Sequence, residues 1–327
     1  MIIGFTHRHD ESGGPGSFQI RISRVLQKRG WQIVYPEDNI RPDVILVIQG
    51  SRKIGWLLKC KAKGIKIVQR LNGIHWLYKM RPYSIKMQLM FRYWNINTAF
   101  IRRYIANSIV YQSNFSYQWW QRQYGKVNKH ETIIYNGVDC QEYKSVISKD
   151  AHRLICVEGN LDYNPYAAKI IAAISHNLTS AGLIEKLELY GTISNTTREL
   201  LKNSPVIFKG NVAREAMPQA YRNSVLISLD LNPSCPNSVL ESLASGCPVI
   251  GFDTGALKEL VSHESGKIVP YGSNPWKLEK PDIESLSKAG AEVLENHNNY
   301  SQAARRSAEI NFNLDDMVDN YLKIFGN

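Results

Sequence analysis

The chain has little that would hold it in a membrane or brace it outside the cell. Nowhere in its 327 residues is there a run approaching the roughly 18–20 apolar residues of a bilayer span. The opening MIIGFTHRHD has too short an apolar run for a secretory leader and reads as a first strand. The five cysteines (Cys60, Cys140, Cys156, Cys235, Cys247) are odd in number and scattered, with no Cys-x-x-Cys pair and no Cys/His cluster. That spacing argues against a zinc site and a disulfide framework, and for free thiols in a reducing compartment. No short-period repeat or low-complexity segment appears. Acid is missing locally: from Val44 to His130 there are 16 Lys/Arg and no Asp or Glu.

The charge that is present divides the chain. Residues 1–150 carry 24 Lys/Arg against 9 Asp/Glu, and the remainder 16 against 20, giving the net +11. Six of the seven tryptophans also lie in the first half. At this length two domains are expected, and the strand–helix rhythm agrees. Strands are expected at 1–5, 31–34, 44–48, 65–71, 109–111 and 132–135, with helices between them. One helix, bearing Phe18, Ile22, Val25 and Leu26, follows a glycine loop at 12–16. After Asn136-Gly137-Val138-Asp139, a turn signal read as the interdomain hinge, the rhythm restarts. Its strands are expected at 154–157, 187–190, 206–208, 225–229, 249–252 and 267–269. A closing helix carries Leu314, Met317, Val318, Tyr321 and Phe325 at helical spacing. The fold class is therefore α/β, two Rossmann-like doubly wound parallel sheets in tandem, with ligands at the carboxyl ends of the strands.

The most informative stretch is NPSCPNSVLESLASGCPVIGFDTGALKELV, residues 232–261. A buried strand (SVLISLD, 224–230) runs into two prolines. A helix then starts with Asn237 as its expected N-cap, and Gly246 is its left-handed stop. A helix N-terminus offers unpaired N–H groups and the positive end of a dipole, which suits phosphate. The amides around Asn237, Ser238 and Val239 are such donors. Glu241, one turn in, is placed to accept two hydroxyl hydrogen bonds from a ribose.

That stretch resembles the donor-binding segment of glycosyltransferase family 4, retaining enzymes of the GT-B fold that use nucleotide-sugars. GGPGS (13–17), IIYNGVD (133–139), LYG (189–191) and FKGNV (208–212) add to the resemblance along the whole chain. It implies two domains with a cleft between them: 1–138, joined by a returning helix at 313–327, and 139–312. It also implies that Glu241 binds the nucleotide ribose and that Asn237 and Ser238 form the backbone turn that meets the diphosphate, with the Val239 amide a further donor-binding group. Gly13 and Gly14 would then let backbone approach the donor phosphate or the acceptor.

The sequence departs from the family in three places. Pro233 stands where the first of two paired glutamates is usual. Asn160 and Pro165 stand where Arg and Lys normally neutralise the leaving diphosphate; Lys209 or Arg214 are alternative cations. Asn72 stands where a histidine is usual at the end of a strand, with His75 three residues on as its substitute. Asn72, His75 and Asn160 are thus the candidate catalytic residues. No Asp-x-Asp triplet is present, and neither a metal nor a cofactor is expected for the chemistry.

Between Arg52 and Lys129, stretches such as HWLYKMRPYSIKMQLMFRYW (75–94) and YQWWQRQYGK (117–126) interleave cations with aromatics. That composition suits an anionic membrane surface. Nucleic acid is not expected, since no nucleic-acid motif accompanies the charge. The expectation is a cytoplasmic hexosyltransferase, peripheral on the inner face of the cell membrane. It would move a hexose or N-acetylhexosamine from a nucleotide-sugar to a lipid-linked or growing surface glycan. A non-catalytic nucleotide-sugar or glycan-binding subunit of a polysaccharide-synthesis complex is the alternative.

Overall fold

The structure is a computed structural model that describes residues 1–8, 13–145 and 153–326. In chain order the elements are β1 (Ile2–Phe5), α1 (Gly13–Lys28), β2 (Gln32–Val34), β3 (Val44–Ile48), α2 (Ile54–Ala62), β4 (Lys66–Leu71), α3 (Ile85–Phe100), β5 (Ser108–Tyr111), α4 (Asn114–Tyr124) and β6 (His130–Ile133). There follow β7 (Leu154–Asn160), α5 (Ala167–Ser180), β8 (Leu187–Thr192), α6 (Asn195–Leu201), β9 (Val206–Gly210), α7 (Met217–Tyr221), β10 (Val225–Ser228) and α8 (Asn237–Ala244). The chain ends with β11 (Val249–Phe252), α9 (Leu257–Leu260), β12 (Gly266–Val269), α10 (Ile283–Glu295), α11 (His297–Asn311) and α12 (Leu314–Gly326). Two compact units result, one of residues 1–137 and 314–327 and one of residues 138–313.

The first unit is a six-stranded sheet in the order β2-β1-β3-β4-β5-β6, and every pairing is parallel. The apolar run at β3 is buried at all five positions, as an inner strand covered on both faces must be. The four residues expected on one face of α1 are all buried, against β1, β3 and the inward face of α12. Tyr321 packs 5.6 Å from Phe18 and Phe325 packs 6.0 Å from Trp31. Each such side chain contributes about 1.5–3 kcal/mol by leaving water, which makes the last helix part of this core.

Gly137 shows a different reason for a motif than the sequence suggests. No turn is formed at Asn136-Gly137, where the sequence signal places one, and Gly137 has no left-handed backbone. A Cβ here would lie 2.7 Å from the Leu314 Cα, so glycine is required by the close approach of α12. The last strand of this sheet also sits two residues earlier than expected, at 130–133 rather than 132–135.

The second unit is a six-stranded parallel sheet in the order β12-β11-β10-β7-β8-β9. Gly191 closes the Leu-Tyr-Gly motif with φ +112°, and a Cβ there would run into the Glu158 carbonyl oxygen. All five cysteines are buried free thiols. Among the described residues no helix is long and apolar enough to cross a membrane.

Candidate functional site

In each unit the strand order reverses at one point, and there the loops leaving neighbouring strands diverge and open a crevice at their carboxyl ends. In the second unit that point lies between β7 and β10. The loop after β10 leads to α8, whose N-cap is Pro236 and not Asn237 as expected. A proline at this position changes the chemistry of the helix start. An Asn cap would offer its side-chain oxygen to the first amides, whereas proline has none to offer, and no side chain caps this end. The first bond to the cap is Leu240 N–H to the Pro236 carbonyl at 3.4 Å, so Ser238 and Val239 precede the helical ladder. Pro233, at the position of the missing glutamate, is buried in the loop's support. Its carbonyl accepts from Ala256 N–H at 2.8 Å, beside Gly255, where a Cβ would strike the proline.

Glu241 follows on the same helix, half-buried, and accepts from the Tyr221 hydroxyl at 3.2 Å. Tyr221 is fully buried at the end of α7. Burial first, and then the Glu241 charge, push its hydroxyl well above the usual tyrosine range, so it stays a donor. Asn160 caps the short turn Leu161–Tyr163 by accepting from Asp162 N–H at 2.9 Å. Its carbonyl oxygen is therefore engaged in shaping the loop. Of the alternative cations, Lys209 faces Glu188 at 3.8 Å. The Arg214 nitrogens are buried without a hydrogen-bond partner among the described residues, and their nearest carboxylate is Glu142, 3.9 Å away.

The sequence does not flag Glu158 or Asp230, although one acid closing an apolar strand (LICVEGN, SVLISLD) is the signal that marks them. The half-buried Glu158 accepts from Leu229 N–H at 2.9 Å. Desolvation, then the Asp230 charge, push the Glu158 carboxyl up to about 8. Asp230 itself stands exposed just beyond β10.

In the first unit the reversal lies between β1 and β3, and a cavity of about 340 Å³ sits there. His7 after β1, Gln49 after β3 and His75 after β4 reach it, with Phe91, Trp94 and Asn95 of α3 as its wall. Gln49 holds a left-handed backbone, φ 62°. The Asn95 carboxamide clamps the His75 backbone on both sides, at 3.0 and 2.8 Å. The His75 ring packs 5.0 Å from Phe91. Desolvation lowers the pKa of both His7 and His75, which leaves the imidazoles neutral at pH 7.

Asn72 is not among the cavity's lining residues. Its side-chain oxygen accepts from the buried Arg70 at 2.7 Å, and its carbonyl accepts from the Trp120 indole at 2.7 Å. Of the two candidates His75 lines the cavity and Asn72 does not, and the fold brings in His7. Gly13 and Gly14, expected in a loop, are the first residues of α1 and are exposed, with Pro15 on the cavity wall; Ser12 lies outside the described residues. The expected outward aromatic surface at 117–126 is also corrected. Trp120 is buried, and Tyr117 and Trp119 pack on the same core.

Curated protein sequences give no match. Residues 152–296 match the family model described as Glycosyl transferases group 1. Among solved structures, sucrose-phosphate synthase from Thermosynechococcus elongatus is similar, with TM-score 0.73 and 13% identity over 99% of this chain and 98% of that one. Anabaena HepE in complex with UDP and glucose gives TM-score 0.71 and 14% identity over 100% and 99%. A glycosyltransferase from Rickettsia africae gives 0.69 and 15% over 99% and 97%. Identities this low speak for architecture alone. Two Rossmann-like domains, each a six-stranded parallel sheet between helices, make this the fold of the GT-B glycosyltransferases.

Proposed function

We propose that the chain is a retaining glycosyltransferase that moves a hexose or N-acetylhexosamine from a nucleotide-sugar to a lipid-linked or growing surface glycan. The observation that carries this reading is the uncapped start of α8, with Glu241 held by Tyr221 one turn along. Ser238 and Val239 offer amides to the diphosphate, Asn237 shapes the same turn, and Glu241 accepts the ribose hydroxyls. Tyr221 holds the carboxylate in place, so less ordering is required on binding. Arg214 supplies the cation that Asn160 and Pro165 do not. Two solved neighbours are described in complex with UDP, one with glucose and one with GlcNAc, which supports a uridine nucleotide as the first donor to try.

The 340 Å³ cavity takes the acceptor sugar. Its aromatic walls suit a pyranose face, and the neutral His75 or His7 accepts a hydrogen bond from the attacking hydroxyl. Gly13 and Gly14 leave the entrance without side chains. The leaving phosphate assists deprotonation, and the helix terminus with Arg214 stabilises its charge, so neither a metal nor a cofactor is invoked. The protein works in the cytoplasm, at the inner face of the cell membrane.

One observation favours a second reading, a subunit that binds nucleotide-sugar without turnover: Asn160 is engaged in its turn and carries no charge. Donor cleavage separates the two. The purified protein is offered UDP-, GDP- and dTDP-sugars with membrane extract as acceptor source, and nucleotide release is followed. Transfer is expected with one donor, and Glu241→Ala is expected to weaken that nucleotide's binding at least about tenfold. Binding without any release would replace the transferase by the binding subunit.

A further inference from the structure

The helix α3 carries large apolar side chains on its outer face as well as on its inner one. Its inner face, with Phe91, Trp94, Asn95 and Thr98, lines the cavity of the first unit. Its outer face presents Ile85, Leu89, Tyr93, Ile96 and Phe100, continued by Tyr104 in the π turn Ile101–Ile105. These six fall at helical spacing on one side. Their exposure runs from 40% at Phe100 to 77% at Ile85. A contiguous apolar stripe of this kind marks an interaction surface.

The charges beside the stripe identify what it meets. Lys86, Arg92 and Arg103 are exposed along the same side, and no acid occurs from Val44 to His130. The first acid beyond, Glu131, is committed to Arg102 at 3.4 Å and to the Tyr111 hydroxyl. A second copy of the chain would set cations against cations, which is repulsive at an interface. An acidic protein partner would satisfy the charge but would not need six large apolar side chains in one line. Anionic lipid satisfies both, since basic residues meet the headgroups while the apolar side enters the acyl boundary.

We infer that α3 is a membrane-docking helix that lies in the plane of an anionic bilayer with Ile85, Leu89, Tyr93, Ile96, Phe100 and Tyr104 inserted. Met90 lines the cavity and is itself 43% exposed, so the cavity mouth opens at the border of the stripe. Docking then presents that mouth to a sugar carried on lipid. The docking stands on α3 alone; its use for an acceptor rests on the transferase reading.

Vesicle flotation tests it. The full chain is mixed with phosphatidylcholine vesicles, with or without about 30% phosphatidylglycerol, at low and high salt. Binding is expected to be at least about tenfold stronger with the anionic lipid and to weaken with salt. Leu89→Gln/Ile96→Gln is expected to lose at least about tenfold of that binding. Both sites are exposed, so its near-ultraviolet circular dichroism should stay that of the wild type. Lys86→Glu/Arg92→Glu should remove the preference for anionic lipid. No binding by the wild type, or full binding by Leu89→Gln/Ile96→Gln, overturns the proposal. So does a wild-type dimer in sedimentation equilibrium that Leu89→Gln/Ile96→Gln dissociates, because the stripe would then join two copies. Nucleotide titration of the same samples keeps the two proposals apart: lost flotation with intact nucleotide binding removes the docking and leaves the transferase reading standing.

Discussion

Between β1 and β3 the crevice of the first unit is lined by His7, Gln49, His75 and the aromatics of α3; between β7 and β10 that of the second holds Glu158, Asp230 and the open end of α8. Both are carboxyl edges of parallel sheets at a reversal of strand order, so topology places the two crevices alike. The side chains then divide the chemistry. The first offers neutral imidazoles and aromatic faces, suited to a sugar. The second offers amides and carboxylates, suited to phosphate and hydroxyl groups. A shared architecture therefore says where a ligand sits and leaves its chemistry to a few residues.

The largest expected effect separates the glycines of the two crevices. Gly191→Ala forces a Cβ into the Glu158 carbonyl on a left-handed backbone, and should cost about 3–5 kcal/mol of stability in urea unfolding. Gly13→Ala has its φ of +78° to overcome and meets nothing within 4 Å among the described residues, so about 1–2 kcal/mol is expected. Equal losses would show that Gly191 is not the tight packing point described.

The next effect concerns charge. Arg214→Ala should weaken binding of a nucleoside diphosphate about tenfold in titration calorimetry, because its guanidinium nitrogens have no hydrogen-bond partner among the described residues. Lys209→Ala, already facing Glu188, should change it by less than about twofold. A larger loss at Lys209 would exchange their roles.

The smallest effect is a slope. Glu158 holds its proton up to about pH 8 in the folded chain, against an ordinary value near 4.5. Its contribution to stability is thus complete below about pH 4.5 and is lost as pH rises towards 8. Against Glu158→Gln, the wild type should lose about 1 kcal/mol more between pH 5 and 8, discounted because the side chain is only half-buried. Parallel thermal-melting profiles for the two proteins would show that the Glu158 carboxyl is not raised.

Much of this was legible in one dimension. Buried strands announce themselves as short apolar runs, and α8 with Glu241 follows from the prolines, the apolar face and Gly246. Backbone sterics and burial act over a few residues, so sequence carries them. The cap was misplaced by one residue, because Asn237 is a good cap by type and only the path of the loop shows Pro236 in that position. The sequence likewise shows Trp120 and Tyr93 as aromatics in one basic stretch, yet one is 1% exposed and the other 50%.

By itself the sequence determined two α/β domains, the charge asymmetry between them and the helix that follows the two prolines, all products of local pattern and composition. The tertiary structure alone decided that His7 joins His75, that the Asp230 charge bears on Glu158, that Asn72 is bound to Arg70, and that α3 leaves a stripe of apolar side chains exposed. Each depends on residues distant in sequence, or on which face of a helix finds a neighbour, and strand order is what brings those partners together.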